Sequence, residues 1–178
     1  MKFKAPDGQE FSDKKEYREY MMEVYYSFKN KSSDDGTLIK SPGDIEGQVF
    51  DIADCSNCTM VVMDITDQVQ IDNLTNCKVF IGACSSSLYI RNCTDCVFYT
   101  CSRQLRLRDI TNSSFYSYCQ SEIHIELSSA VRFGPFLGGY EEQEQHFKSA
   151  SLDPEVNLWN DIYDHNDAAK THKNWSVI

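Results

Sequence analysis

A short polar phrase returns through Gly47 to Gly134 at a nearly constant interval, and this period limits the available folds more than any other feature. The phrase reads DCSNC at Asp54 to Cys58, NLTNC at Asn73 to Cys77, NCTDC at Asn92 to Cys96, DITNS at Asp109 to Ser113 and ELSSA at Glu126 to Ala130. Its starts lie 19, 19, 17 and 17 residues apart. Helical-hairpin repeats need roughly 33 residues or more, whereas a unit this short carrying two β-rich runs fits one turn of a parallel β-helix. Each turn leaves a narrow apolar strip that only the next turn can cover, so the turns must stack.

Alternation assigns the strands within each turn. Before the phrases, Val69 and Ile71, Leu88 and Ile90, Leu105 and Leu107, and Ile123 and Ile125 fall in register as one inward ladder. Their neighbours point outward. Gln70, Tyr89, Arg106 and His124 form one outer column, Gln68, Ser87, Gln104 and Glu122 a second, and Asp72, Arg91, Arg108 and Glu126 a third. After the phrases, Met60, Val79, Phe98 and Phe115 form another inward column, because the opposite parity would bury Lys78. Val61, Phe80, Tyr99 and Tyr116 are then left outside as an apolar stripe, which another part of the chain is expected to cover.

Eight cysteines could indicate a disulfide framework, but six of them, Cys55, Cys58, Cys77, Cys93, Cys96 and Cys119, sit in or beside the repeat. Cysteine is small and readily buried, which suits stacked corners about 4.8 Å apart. CSNC and CTDC have the CxxC spacing of zinc sites, yet the repeat separates them by two turns. Structural thiol ladders are the favoured reading, with metal binding and disulfides as the alternatives. Reduced thiols imply the cell interior. The 178 residues suffice for one domain with a real core. Basic residues number 17 against 27 acidic, a formal charge of -10, so nucleic acid is not an expected partner and a basic patch would stand out. No run is apolar and long enough to span a bilayer, no signal-peptide core appears, and Lys2 excludes N-myristoylation, so no direct membrane anchor is expected.

Met1 to Glu10 reads as a loose lead-in. A helix is expected from an N-cap at Ser12 to about Lys29, with Tyr17, Tyr20, Met21, Val24, Tyr25 and Phe28 on one aromatic face. That face would cover a side or end of the β-helix, or bind a partner. Asn30 to Gly36 reads as a linker. Asn57, Asn76, Asn92, Asn112 and nearby aspartates are expected at corners, where they tolerate left-handed geometry. After Val131 the period stops, and Phe147 with the residues around Trp159 should pack on the stripe of Phe80, Tyr99 and Tyr116. The expected class is an all-β core, a right-handed parallel β-helix with an N-terminal amphipathic helix and an irregular C-terminal covering segment. Residues 1–36 form the lead-in, helix and linker, and 37–178 the β-helix domain with its C-terminal cap.

No phosphate loop, dinucleotide fingerprint or nucleophile with a convincing base appears. One cluster stands out. Arg103, Gln104, Arg106 and Arg108 put three cations and an amide into six residues, with Arg91 on the neighbouring turn. Alternation sends Gln104, Arg106 and Arg108 to one outer face, with Tyr89 and His124 beside Arg106. A flat patch of this kind suits a large anionic surface better than an enclosed ligand. A solubilising face with pairs such as Arg108 to Glu126 is the alternative.

The periodic segment and tail resemble the cofactor C-like domain shared by tubulin-folding cofactor C and the retinitis pigmentosa 2 protein, and more distantly the β-helix of cyclase-associated proteins. The family's QxR pair is present as Gln104-Leu105-Arg106. Phe133-Gly134-Pro135-Phe136, Asn157-Leu158-Trp159-Asn160-Asp161-Ile162 and Asn174-Trp175-Ser176-Val177-Ile178 also match, and the closing NWS phrase favours the cofactor C branch. The resemblance implies GTPase activation, with Arg106 as an arginine finger supplied in trans and Gln104 supporting it. Arg103, Arg108, Arg91, Tyr89 and His124 would bind the partner. No intrinsic cofactor is implied, because the GTP and Mg belong to the partner: tubulin with the other folding cofactors, or an Arf-like small GTPase. The implied location is cytoplasmic and cytoskeleton-associated. A non-catalytic cytoskeletal scaffold is the competing class. Arg103 stands where the family commonly has a first Gln, and neither the spectrin-like helical domain of cofactor C nor the acylation site of the other branch is found in the sequence.

Overall fold

Two residues in each polar phrase take a positive φ, and they turn the corners that wind this chain into a parallel β-helix. Asp54 and Asn57 have φ of 58° and 55°, Asn73 and Asn76 61° and 51°, Asn92 and Asp95 53° and 56°, and Asp109 and Asn112 52° and 47°. Asn and Asp enter this region at lower cost than other residues with a Cβ. Their side chains also bond from turn to turn. Asn73 Nδ2 donates to Asp54 Oδ1 at 2.8 Å and Asn92 Nδ2 to Asn73 Oδ1 at 2.8 Å, while Asn76 Nδ2 donates to Asn57 Oδ1 at 2.7 Å. The polar phrase is a structural corner.

In the last turn the corner residues are Leu127 and Ala130, with φ of 50° and 51°. Glu126 pairs with Arg108, so Leu127 matches Asp109 and this corner starts one residue later than the ELSSA alignment implied. Leu127 is 50% exposed and gains little from burial. Leu127→Asn is therefore expected to stabilise the protein by about 0.5–1 kcal/mol, seen as a higher denaturation midpoint at unchanged slope.

The computed structural model describes residues 2–178. Strands β1 (Phe3–Lys4) and β2 (Glu10–Phe11) form an antiparallel hairpin where a loose lead-in was expected. Helix α1 (Lys14–Val24) is capped by Asp13 rather than Ser12: Asp13 Oδ1 accepts from Lys15 N at 2.7 Å and Glu16 N at 3.0 Å. Phe3 stacks on Tyr17 at 5.6 Å and Phe11 packs on Tyr20 at 5.0 Å, so the hairpin takes most of the helix's aromatic face. The helix stops at Val24, short of Lys29, because Ser27–Lys29 is strand β3, paired in parallel with Asp51–Ala53. The β-helix thus begins at Ser27, upstream of the expected boundary at residue 37.

The turns continue through β4 (Thr37–Lys40), β5 (Phe50–Ser56), β6 (Thr59–Val62), β7 (Val69–Thr75), β8 (Lys78–Thr94), β9 (Val97–Cys119), β10 (Ile123–Glu126) and β11 (Ser129–Pro135), about five in all. Pairing between turns is parallel, and the registers Ile52–Ile71–Ile90–Leu107–Ile125 and Val69–Leu88–Leu105 are the inward ladders expected from alternation. Met60, Val79, Phe98 and Phe115 are fully buried, and the Phe98 and Phe115 rings stack at 4.7 Å. All eight cysteines are free and buried. Cys77 N donates to Cys96 Sγ at 3.5 Å and Cys96 N to Ser113 Oγ at 3.1 Å, so thiol and hydroxyl share one ladder. Cys55 and Cys93 lie either side of Leu74, which keeps the two CxxC pairs two turns apart. Burial pushes the Cys93 thiol up to about 12 and Cys84 to about 11, so both stay protonated at neutral pH.

The tail contains α2 (Gln143–Ser149), β12 (Ile162–Asp164) and β13 (Trp175–Val177). It does not cover the outer stripe with the residues expected to do so. Phe147 meets Tyr118 at 4.8 Å in a separate cluster with Ala83, Cys101 and Leu152. Trp159, Ile162 and Trp175 pack on the main core, where β12 extends β10 and β13 extends β11 in parallel. The physical reason is the open last turn, whose apolar interior and unpaired strand edges demand closure more than a half-buried stripe does. At Phe80 the stripe is covered instead by the first residues of the tail, with Phe136 and Tyr140 at 5.8 and 6.0 Å from its ring. Gly134 follows Tyr116 in this stripe, and a Cβ there would lie 3.1 Å from the tyrosine ring.

Candidate functional site

The QLR segment lies within β9, where Leu105 and Leu107 are buried in the core and Gln104, Arg106 and Arg108 alternate outward. Two ladders, to the turn before and the turn after, hold this strand rigid. Arg106 pairs in register with Tyr89 on one side and His124 on the other. Among the described residues its side chain makes no hydrogen bond or ion pair, and it is exposed. Gln104 Oε1 accepts from Ser87 Oγ at 3.0 Å, which orients the amide and leaves its NH2 to donate outward. A cleft of about 140 Å³ lies between Gln104, Arg106, Ser121, Glu122 and His124.

The other cations are engaged. Arg91 Nε and Nη2 donate to the two carboxylate oxygens of Asp72 at 2.6 and 3.1 Å, and its guanidinium lies 4.9 Å from the Tyr89 ring centre. Arg91 and Tyr89 therefore present a packed block with its charge neutralised. Arg108 stands opposite Glu126 in register, but its ion pair is with Asp109 at 3.5 Å, both side chains being about half exposed. Such a pair is screened and contributes little to stability.

Arg103 departs most from the docking role expected of it. Its Nε donates to Ser85 O at 2.9 Å, and its Nη2 to Ala150 O and Ser151 O, each at 2.9 Å. The parity of position 103 turns it away from the Arg106 face and beneath the end of α2, where three carbonyls need donors. Arg103→Ala is expected to cost about 2 kcal/mol, from hydrogen bonds to a charged group, and to lower the melting temperature by roughly 4–8 °C. A residue whose role was docking alone would leave the melting temperature unchanged.

The structure adds two residues that the repeat could not place. β12 sets Tyr163 opposite His124, and His165 Nε2 lies 3.0 Å from His124 Nδ1. The signal in the sequence was the Asn157 to Ile162 phrase just upstream, but no periodicity linked it to the Arg106 column.

Fold and site together define a class: a parallel β-helix that offers one uncommitted arginine, beside a tethered glutamine, from a stiff strand. The family profile for tubulin binding cofactor C matches residues 47–165, and the chain belongs to that family. It is 29% identical over 129 residues to tubulin-specific chaperone C of Homo sapiens, covering 71% of this chain and 37% of that protein. With tubulin-folding cofactor C of Arabidopsis thaliana it shares 31% over 144 residues, covering 80% and 41%. With Protein XRP2 of Homo sapiens it shares 33% over 144 residues, covering 81% and 41%. The chain thus spans well under half the length of these relatives. A solved structure, Tubulin Binding Cofactor C from Leishmania major, has the same fold, with a TM-score of 0.52 at 19% identity over 80% of this chain and 88% of that one.

Proposed function

We propose that this chain activates a GTPase, with Arg106 entering the partner's nucleotide site as an arginine finger. The observation that carries this reading is an exposed guanidinium with no partner among the described residues, on a strand whose other arginines, Arg103 and Arg108, are engaged. Water attacks the γ-phosphorus, the bond to the β–γ bridging oxygen breaks, and GDP and phosphate leave. Charge spreads over the phosphate oxygens in the transition state, and a planar fork of donors stabilises it more than the ground state. The fixed backbone at Arg106 limits the entropy lost on insertion, and the Gln104 amide supplies a second donor. GTP and Mg are the partner's. The proposed partner is tubulin, acting with other folding cofactors in the cytoplasm, since relatives over most of this chain are named for tubulin folding. A second substrate class, implied by the sequence resemblance to the retinitis pigmentosa 2 branch of the family, is an Arf-like small GTPase. Single-turnover GTP hydrolysis by tubulin and by Arf-like GTPases, with and without this chain, tests the reading. Acceleration is expected for one of them; none for either leaves the scaffold alternative.

A further inference from the structure

We infer that Arg103 is a positioning residue for the Arg106 site: it ties a β-bulge in β8 to the end of α2, and the bulge holds the serine that fixes the Gln104 amide. The inference deepens the reading of Arg106 and Gln104 just proposed and rests on it. Between β8 and β9, Cys84 pairs with Ser102 and Ser87 with Gln104. Ser85 and Ser86 therefore stand opposite the single residue Arg103, which is the two-against-one count of a bulge.

A bulge interrupts the ladder, so its backbone groups need other partners. Towards the preceding turn, Ser85 N donates to Thr66 O and Ser86 N to Asp67 O, each at 2.9 Å, and Ser86 Oγ donates to Asp67 O at 2.7 Å. On the other side Arg103 Nε donates to Ser85 O at 2.9 Å. The same guanidinium reaches Ala150 O and Ser151 O through Nη2, each at 2.9 Å. These carbonyls lie just past the last turn of α2, where carbonyls lack partners within the helix. The helix is itself seated, by Phe147 on the Tyr118 ring and by a 2.7 Å hydrogen bond between Tyr140 OH and His146 Nδ1. One planar fork of donors thus joins a seated helix to the bulge.

The bulge decides where Ser87 points, because one residue more or fewer before it would reverse its parity. In the observed register Ser87 Oγ donates to Gln104 Oε1 at 3.0 Å. Ser121, on the wall of the cleft beside Arg106, donates from Oγ to the Arg103 carbonyl at 3.0 Å, so one residue anchors both sides of Gln104. Without the fork, Ser85 O and the end of α2 are free to separate, and Ser87 moves with the bulge. The exposed Gln104 amide then samples rotamers in which its NH2 no longer faces an anion beside Arg106. Holding it before the partner arrives removes that ordering cost from the transition state. The Arg103 side chain points away from the Arg106 face and acts only through Ser87 and Gln104.

Two arms test this. In the whole chain without a partner, well below its melting temperature, ¹⁵N relaxation of the Gln104 side-chain NH2 should report an ordered amide in wild type. The amide should be mobile in Ser87→Ala and in Arg103→Ala, with the backbone amides of Leu105 and Leu107 still protected from exchange. A Gln104 amide as mobile in wild type as in Ser87→Ala, or unaffected by Arg103→Ala, would overturn the inference. With the responding GTPase, Arg103→Ala should lower the maximal stimulated rate about three- to tenfold, the worth of one hydrogen bond in the transition state. The concentration giving half-maximal stimulation should not change. Mere loss of stability would do the reverse, since a smaller folded fraction raises that concentration and leaves the rate at saturation intact. Arg103→Ala combined with Ser87→Ala should be no slower than Ser87→Ala alone, because the two act in series; effects that multiply would sever Arg103 from Gln104. Arg103→Lys keeps one donor for the carbonyls and should fall between alanine and wild type, and it serves both arms if the alanine protein does not fold. If instead Arg106→Ala stimulates as well as wild type, the proposed function fails, and the relaxation arm still decides whether Arg103 holds Gln104.

Discussion

Arg106→Ala should lose most of its ability to accelerate GTP hydrolysis, by a factor on the order of 10³ to 10⁵, the range arginine fingers contribute in GTPases. The fold should be unaffected, because the side chain is exposed and makes no bond to another described residue. Binding should largely survive, since Arg108, Tyr163 and the histidine pair remain on the face. Arg106→Lys should recover little of the rate, because one mobile ammonium cannot reproduce the planar donor fork. Arg108→Ala should mainly weaken association and make it less sensitive to salt, as for a charge that steers an encounter. Titrating each variant to saturation at two salt concentrations separates the roles. An Arg106→Ala protein reaching the wild-type maximal rate at saturation would reduce the patch to a docking surface.

The second large effect is expected from deleting the tail after Gly139. Phe147 and Leu152 are buried in the cluster beneath α2, and Trp159, Ile162 and Trp175 close the last turn. Phe147 and Leu152 alone account for about 3–6 kcal/mol, at 1.5–3 for each large buried side chain. That is a large share of the 5–15 kcal/mol typical of a whole domain, and the exposed edges of β10 and β11 would add a route to aggregation. The shortened chain should melt far below wild type or fail to stay monomeric in size-exclusion chromatography. An unchanged melting transition would show that the tail contributes nothing to the domain. The deletion also removes Tyr163 and His165, so any folded product should have lost the contact between His165 and His124.

Within the repeat, side-chain direction follows from the sequence alone. Strand alternation has a period of two, and stacking repeats it turn after turn. Leu105 and Leu107 could not face the core without sending Gln104, Arg106 and Arg108 outward. Asn73, Asn76 and Asn92 are corner residues because few other side chains take a left-handed backbone so readily, and their ladders run at the spacing of the repeat. The one misplaced corner, at Leu127, is the one in which neither Asn nor Asp marks the turn.

What alternation could not decide was which outward groups are already in use. Arg103, Arg106 and Arg108 look alike in sequence, yet three carbonyls near α2 claim Arg103 and Asp109 attends Arg108, while Arg106 stays open. The same limit applied to the tail, whose residues obey no period. Trp159 and Phe147 are visibly apolar, but only the three-dimensional closure of the last turn determined where each is buried. His165 reaches His124 from 41 positions away for that reason. A periodic sequence fixes direction because every residue inherits the geometry of the one a turn earlier. Partners joined across the end of the helix inherit nothing, and their pairing is set by which surface was left uncovered.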